Sequence, residues 1–173
     1  MKLVSYLSRR DKLAALLLVL FTLVADGCGF QPRGQVSGTG GIRGPVLIVG
    51  IGPYADLYRE LKRQLTVAGV ELARSAADSA SVLVIDRWTR DSRVLSVDSR
   101  NKAVEYELEE SVQFALRSRD GQNIMQPQTE RILRIQYIPP TSVLGSTRES
   151  ELLRDDMLRD LVTRIVRRLA AAG

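Results

Sequence analysis

The chain of 173 residues holds one cysteine and no histidine, and those two counts bound its chemistry. Without His, the commonest general base and the commonest metal ligand are missing. A lone thiol closes no disulfide within the chain and makes no metal site. An enzyme would have to work with carboxylates, Lys, Ser or Tyr, in a compact polar pocket that the sequence does not announce. The chain is therefore read as a non-enzyme, with no cofactor and no metal. What remains is Cys28. It follows Leu13–Val24, "LAALLLVLFTLV", an uncharged run preceded by the basic residues Lys2, Arg9, Arg10 and Lys12. The run is shorter than the roughly 20 residues that span a bilayer as a helix, and the small residues Ala25 and Gly27 flank a cleavage point just before Cys28. This order reads as a signal peptide over residues 1–27, and the position of Cys28 suits a thioether to a diacylglycerol.

The stretch "ADGC" resembles the bacterial lipobox, with Ala25 and Asp26 where that pattern usually has Leu and an uncharged small residue. An unmodified Cys beside an ordinary cleavage site is the competing reading. Gly29 follows Cys28, which resembles the outer-membrane sorting rule of enterobacterial lipoproteins. One acyl chain binds a membrane marginally and two or more anchor stably, at roughly 0.8 kcal/mol per buried CH2. Residues 35–45, "QVSGTGGIRGP", are rich in Gly and Ser, so residues 28–45 are expected to form the lipidated N-terminus and a flexible tether.

Two further constellations invite chemistry. Gly50-x-Gly52-x-x-Ala55, with Glu71 about twenty residues on, has the shape of a dinucleotide fingerprint. One helix followed by hairpin strands does not make a Rossmann domain, so a plain strand-to-helix turn is expected. Glu110 breaks the apolar face of a strand. A desolvated acid is a catalytic candidate in principle, but a bulge or a solvent-facing strand end is the expected explanation. Glu105, Glu107 and Glu109 opposite Arg131 and Arg134 read as cross-strand charge pairs on a wet face. Trp88, the only tryptophan, fits a partner anchor and core packing equally.

The elements that must position these residues follow from hydrophobic period. Val46–Ile51 suits a buried strand. Tyr54, Leu57, Tyr58, Leu61, Leu65 and Ala68 recur at helical spacing between Pro53 and Gly69. Val70–Ala73 and Ser81–Trp88 read as strands. Lys102–Ser118 is the clearest one, Asp120–Gly121 signals a hairpin, and Asn123–Tyr137 returns with Leu133, Ile135 and Tyr137 on one face. The last helix is expected from about Thr147 to Ala171. Ser146-x-x-Glu149 resembles a capping box, acids crowd the first half of the helix, and arginines stand at its end. Leu153, Met157, Leu161, Ile165 and Leu169 form its apolar stripe, widened by Leu158, Val162 and Val166.

Apolar stripes on one side of each element predict an α+β fold over residues 46–173. Two helices pack on one face of a mixed, mostly antiparallel sheet of about four strands, in the order β-α-β-β-β-α. Residues 1–27 hold four of the 25 basic and two of the 20 acidic residues, so the remaining 146 residues carry a net charge of +3. The basic residues are scattered among acids, which excludes a nucleic-acid footprint.

Four segments together resemble the LptE family of lipopolysaccharide-assembly lipoproteins. They are "CGFQPRG", "LYRELKRQLTVAGVEL", "AVEYEL" and "VLGSTRESELLRDDMLRDLVTRIVRRL". The resemblance spans essentially the whole chain after residue 27. It implies an outer-membrane lipoprotein that plugs the lumen of the LptD β-barrel in a 1:1 heterodimer and helps deliver lipopolysaccharide to the cell surface. It also implies lipopolysaccharide contact through basic residues near a strand turn and before the last helix. By position these are Arg100, Lys102 and Arg148, while relatives often carry Lys where Ser146 stands. A freestanding lipid-binding or pilotin-like lipoprotein is the alternative.

Overall fold

The computed structural model describes residues 42, 44–139 and 145–172. The signal segment, Cys28 and most of the tether lie outside the described residues. Six elements follow in the order β1 (Val46–Val49), α1 (Asp56–Val67), β2 (Ser81–Val97), β3 (Ala103–Ser118), β4 (Asn123–Tyr137) and α2 (Gly145–Ala171). They form the α+β architecture expected from the sequence. The sheet order is β1-β2-β3-β4, with β1 parallel to β2 and the other pairs antiparallel.

Each helix lays one apolar stripe on the sheet. Leu57, Leu61 and Leu65 of α1 are fully buried at i, i+4 and i+8, the spacing that keeps one helical face on the core. Met157, Leu161, Ile165 and Leu169 of α2 are likewise buried and are flanked by Leu158, Val162 and Val166. They meet Leu83 and Ile85 of β2, Leu108, Val112, Phe114 and Leu116 of β3, and Met125 and Ile132 of β4 in one core. Full burial of each such side chain contributes roughly 1.5–3 kcal/mol. The helices also touch each other. Gln64 Nε2 donates to the carbonyl of Arg159 at 3.0 Å, and Thr163 Oγ1 donates to Gln64 Oε1 at 3.1 Å.

Chain punctuation works as the sequence suggests. Helix α1 closes with paired bonds from Gly69 N to Thr66 O (3.0 Å) and from Val70 N to Leu65 O (2.9 Å). This is the Schellman arrangement, with Gly69 in the left-handed region and buried Val70 beside buried Leu65. Gly50 has a steric reason of its own. Its φ is +87°, and a Cβ there would lie 2.1 Å from the carbonyl oxygen of Ile85 on β2. The glycine therefore admits a close approach of two backbones, where β2 also shifts register between Ile85 and Arg87.

Several expectations need correction. Tyr54 precedes α1 and is 91% exposed, so it does not belong to the buried stripe. Val70–Ala73 makes only an isolated parallel bridge, Val46 to Leu72. Strand β2 continues nine residues past Trp88 to Val97. Beyond Val84 it has no β1 neighbour, so its residues need not be apolar to pair with β3. Helix α2 already includes Gly145, which puts Ser146 inside the first turn and not at the N-cap.

The largest correction concerns β4. Leu133, Ile135 and Tyr137 pair with Glu109, Glu107 and Glu105, and directly opposed residues share a sheet face. The three apolar side chains therefore stand on the face away from the helices, at 44%, 66% and 57% exposure. The inward row of β4 is Gln128, Glu130, Ile132, Arg134 and Gln136, opposite Phe114, Val112, Glu110, Leu108 and Tyr106. Most of that row is polar, and α2 supplies partners to it. Arg168 pairs with Glu130, Arg134 reaches Asp160 at 2.9 Å, and Ser150 Oγ donates to Gln136 Oε1 at 2.9 Å. Arg131 joins Glu109 across strands at 3.0 Å as expected, whereas Arg134 lies on the other face.

Candidate functional site

The turn from β2 to β3 is organised by a carboxylate. Asp98 N donates to Lys102 O at 2.8 Å and Asn101 N to Asp98 O at 2.9 Å. Asn101 has φ +61°, a left-handed conformation that Asn tolerates better than most residues. A type I turn followed by such a residue is the usual three-residue hairpin loop, here Ser99–Arg100–Asn101. Asp98 Oδ1 accepts from the amides of Arg100 (2.8 Å) and Lys102 (2.9 Å). Its Oδ2 lies 3.5 Å from Arg100 Nε. The Lys102 amide, then the Arg100 amide and guanidinium, hold the Asp98 carboxyl below the usual carboxylate range against the opposing effect of burial.

The three basic residues picked from the sequence are all exposed. Arg100 and Lys102 share the Asp98 loop. Arg148 stands in the first turn of α2. The start of α2 meets the end of β4 through the Ser150–Gln136 bond, and Ile138 N bonds Val104 O beside the loop. The fold thus brings all three cations to one end of the sheet, two on one hydrogen-bonded turn and the third on a separate element. Sequence reasoning passed over Asp98 and Asn101. The signal was there in "DSRNK", with a turn-initiating Asp and a left-handed-tolerant Asn three residues later.

Glu110 is neither at a bulge nor at a strand end. It is fully buried in mid-β3, facing the helices. Its Oε1 accepts from Trp88 Nε1 and from Arg90 Nε, each at 3.0 Å. The Arg90 guanidinium also lies 4.5 Å from the Trp88 ring centroid, and its Nη1 is 3.5 Å from Asp56 at the start of α1. Glu110 Oε2 has no hydrogen-bond partner. The cluster ties β2, β3 and α1 together. Trp88 is packed against the core, which resolves its two readings in favour of packing. Among the described residues, no group of His, Cys, Asp or Glu is arranged to hold a metal ion, and no helix is long and apolar enough to cross a membrane.

Comparison with known proteins adds to this geometry. Residues 45–169 match the family model LptE, lipopolysaccharide-assembly. An LPS-assembly lipoprotein LptE of Photorhabdus laumondii is 28% identical over 160 residues, covering 92% of this chain and 86% of that one. The protein of the same name from Pectobacterium atrosepticum is 28% identical over 163 residues, with the same coverage of 92% and 86%. Among solved structures, a lipoprotein B from Nitrosomonas europaea superposes with a TM-score of 0.67 at 25% identity, covering 83% of this chain and 91% of that one. The rare lipoprotein B of Shewanella oneidensis gives a TM-score of 0.64 at 26% identity, covering 73% and 94%.

Proposed function

Because the chain belongs to the LptE family of lipopolysaccharide-assembly proteins, we propose that it is an outer-membrane lipoprotein that plugs an LptD-like β-barrel. In this reading it assists assembly of the barrel as a 1:1 heterodimer and helps deliver lipopolysaccharide to the cell surface. Its role lies in lipopolysaccharide assembly, as a non-catalytic lipoprotein. The observation that carries the reading is the family match, which runs from the residue before β1 to the last turn of α2. Residues 1–27 are a signal peptide, residues 28–45 an acylated N-terminus and tether, and residues 46–173 the single domain.

Physical size supports a plug. A compact chain of this length has a radius of gyration of roughly 15 Å and is about 40 Å across. Only a wide barrel holds such a body, and barrels of about 26 strands have polar interiors. The ion pairs on the outer sheet face, Glu107 to Arg93 at 2.6 Å and Glu109 to Arg131, suit that surrounding. Arg100, Lys102 and Arg148 are the residues proposed to meet lipopolysaccharide. Its lipid A phosphates are anionic, and a guanidinium grips a phosphate with two charge-assisted bonds.

Affinity purification from detergent-solubilised outer membrane tests the partner. Stoichiometric recovery with a large β-barrel is expected. Recovery as a lone monomer, with normal surface lipopolysaccharide in a depletion strain, overturns the reading. Mass spectrometry of the extracted protein tests the anchor: an N-terminal acylated Cys28 is expected, and an unmodified Cys28 in a soluble product refutes it.

A further inference from the structure

The structure assigns Asp98 a positioning role: its carboxylate holds the β2–β3 loop in the one conformation that presents Arg100 and Lys102 together to a single anionic phosphate. This rests on the proposed binding of lipopolysaccharide at those two residues. The role of Asp98 itself follows from geometry. One carboxylate oxygen ties down the backbone amides of both cationic residues, Arg100 and Lys102, and the other lies beside the Arg100 guanidinium. Asp98 is largely shielded, with a side-chain exposure of 16%, while Arg100 stands out at 69%. The carboxylate is thus spent on the loop and the guanidinium is turned to solvent.

The other hairpin of the same sheet supplies an internal comparison. Between β3 and β4, Ser118 N donates to Gln122 O (2.8 Å), Gly121 N to Ser118 O (3.0 Å), and Gln122 N to Ser118 Oγ (3.2 Å), with Gly121 at φ +82°. The bonding plan matches that of Asp98, Asn101 and Lys102, with a hydroxyl in place of the carboxylate. A hydroxyl is therefore sufficient to close such a loop on its fifth residue. Asp98 adds the bond to the Arg100 amide and the contact with the Arg100 side chain, so its carboxylate does more than close the turn. Ordering a cationic loop in advance removes part of the entropy cost of ligand binding.

The sign of the effect separates this role from simple charge. Asp98 is an acid beside an anion site, and by Coulomb attraction alone its removal should strengthen anion binding. A positioning role demands the reverse. The experiment titrates full-length, detergent-solubilised protein with purified lipopolysaccharide at fixed ionic strength. It also follows amide hydrogen exchange at Arg100 and Lys102 without ligand. Asp98→Ala is expected to weaken binding about 3- to 10-fold, the cost of ordering one or two side chains on the ligand, and to expose both amides to exchange. Asp98→Asn, whose side-chain carbonyl still accepts from the amides, should restore protection and most of the affinity. Tighter binding by Asp98→Ala, or unchanged exchange at both amides, overturns the proposal. If Arg100→Ala/Lys102→Ala loses affinity while Asp98→Ala does not, only the role of Asp98 falls. If the double variant binds like wild type, the binding site at this loop falls as well.

Discussion

Trp88 donates its indole N–H to Glu110 across the β2–β3 pair at 3.0 Å, and Arg90 donates to the same oxygen. A carboxylate with no exposure is tolerated in the core because these two donors replace part of its water shell. Breaking a buried charged pair by removing one partner typically costs about 3–5 kcal/mol, and a single neutral hydrogen bond about 1 kcal/mol. Glu110→Ala is therefore expected to destabilise far more than Trp88→Phe. Urea unfolding measures both. Since Trp88 is the sole tryptophan, its fluorescence reports the Glu110 variant, and circular dichroism serves for Trp88→Phe.

Face assignment on β4 is open to a direct test. Ile132 is 2% exposed and Ile135 is 66% exposed, although they stand three residues apart on one strand. Ile132→Ala should cost about 2–5 kcal/mol, as for other buried Ile truncations. Ile135→Ala should stay within about 0.5 kcal/mol, as at most surface sites. Thermal unfolding of the two variants decides. Comparable losses would refute the register of β3 with β4.

Gly50 and Gly121 both have positive φ, but only Gly50 faces an obstacle. A Cβ at Gly121 meets nothing within 4 Å, whereas at Gly50 it meets Ile85 O at 2.1 Å. Gly121→Ala should cost about 1–3 kcal/mol, the strain of a left-handed non-glycine residue. Gly50→Ala carries that strain and must also part β1 from β2, so a clearly larger loss in the urea midpoint is expected.

The Asp98 loop has a pH signature. Its amide and guanidinium partners lower the Asp98 pKa from the ordinary 3.8. A depressed acid stabilises the fold above its unfolded pKa, and that contribution is lost as pH falls through the folded value. Protection of the Lys102 amide is therefore expected to persist from neutrality to below pH 3.8. It should fade only under more acidic conditions. An NMR titration of the Asp98 carboxyl checks this, and a midpoint above 3.8 would contradict it.

Much of this protein was written in local pattern. The stripe from Leu153 to Leu169, the run Val104, Leu108, Val112, Phe114 and Leu116, and the Asp120–Gly121 signal determined α2, β3 and the last hairpin. Helical and strand periods and turn chemistry act over a few residues, so one chain suffices to read them. The family resemblance was legible for the same reason, since it lay in short segments in a fixed order.

Only tertiary structure decided which row of each strand meets the helices. Period 2 divides β4 into two rows but does not rank them, and register with β3 makes the choice. There the more apolar row, Leu133, Ile135 and Tyr137, went outward. The inward row carries Glu130, Arg134 and Gln136, which become acceptable because Arg168, Asp160 and Ser150 come from α2, separated from them by 38, 26 and 14 residues. Glu110 follows the same logic. Alone it breaks the apolar face of β3, and one of its oxygens is paired there only because β2 brings Trp88 and Arg90 beside it. Partners so far apart along the chain are invisible to local period, and a buried polar group is stable only when such partners meet it.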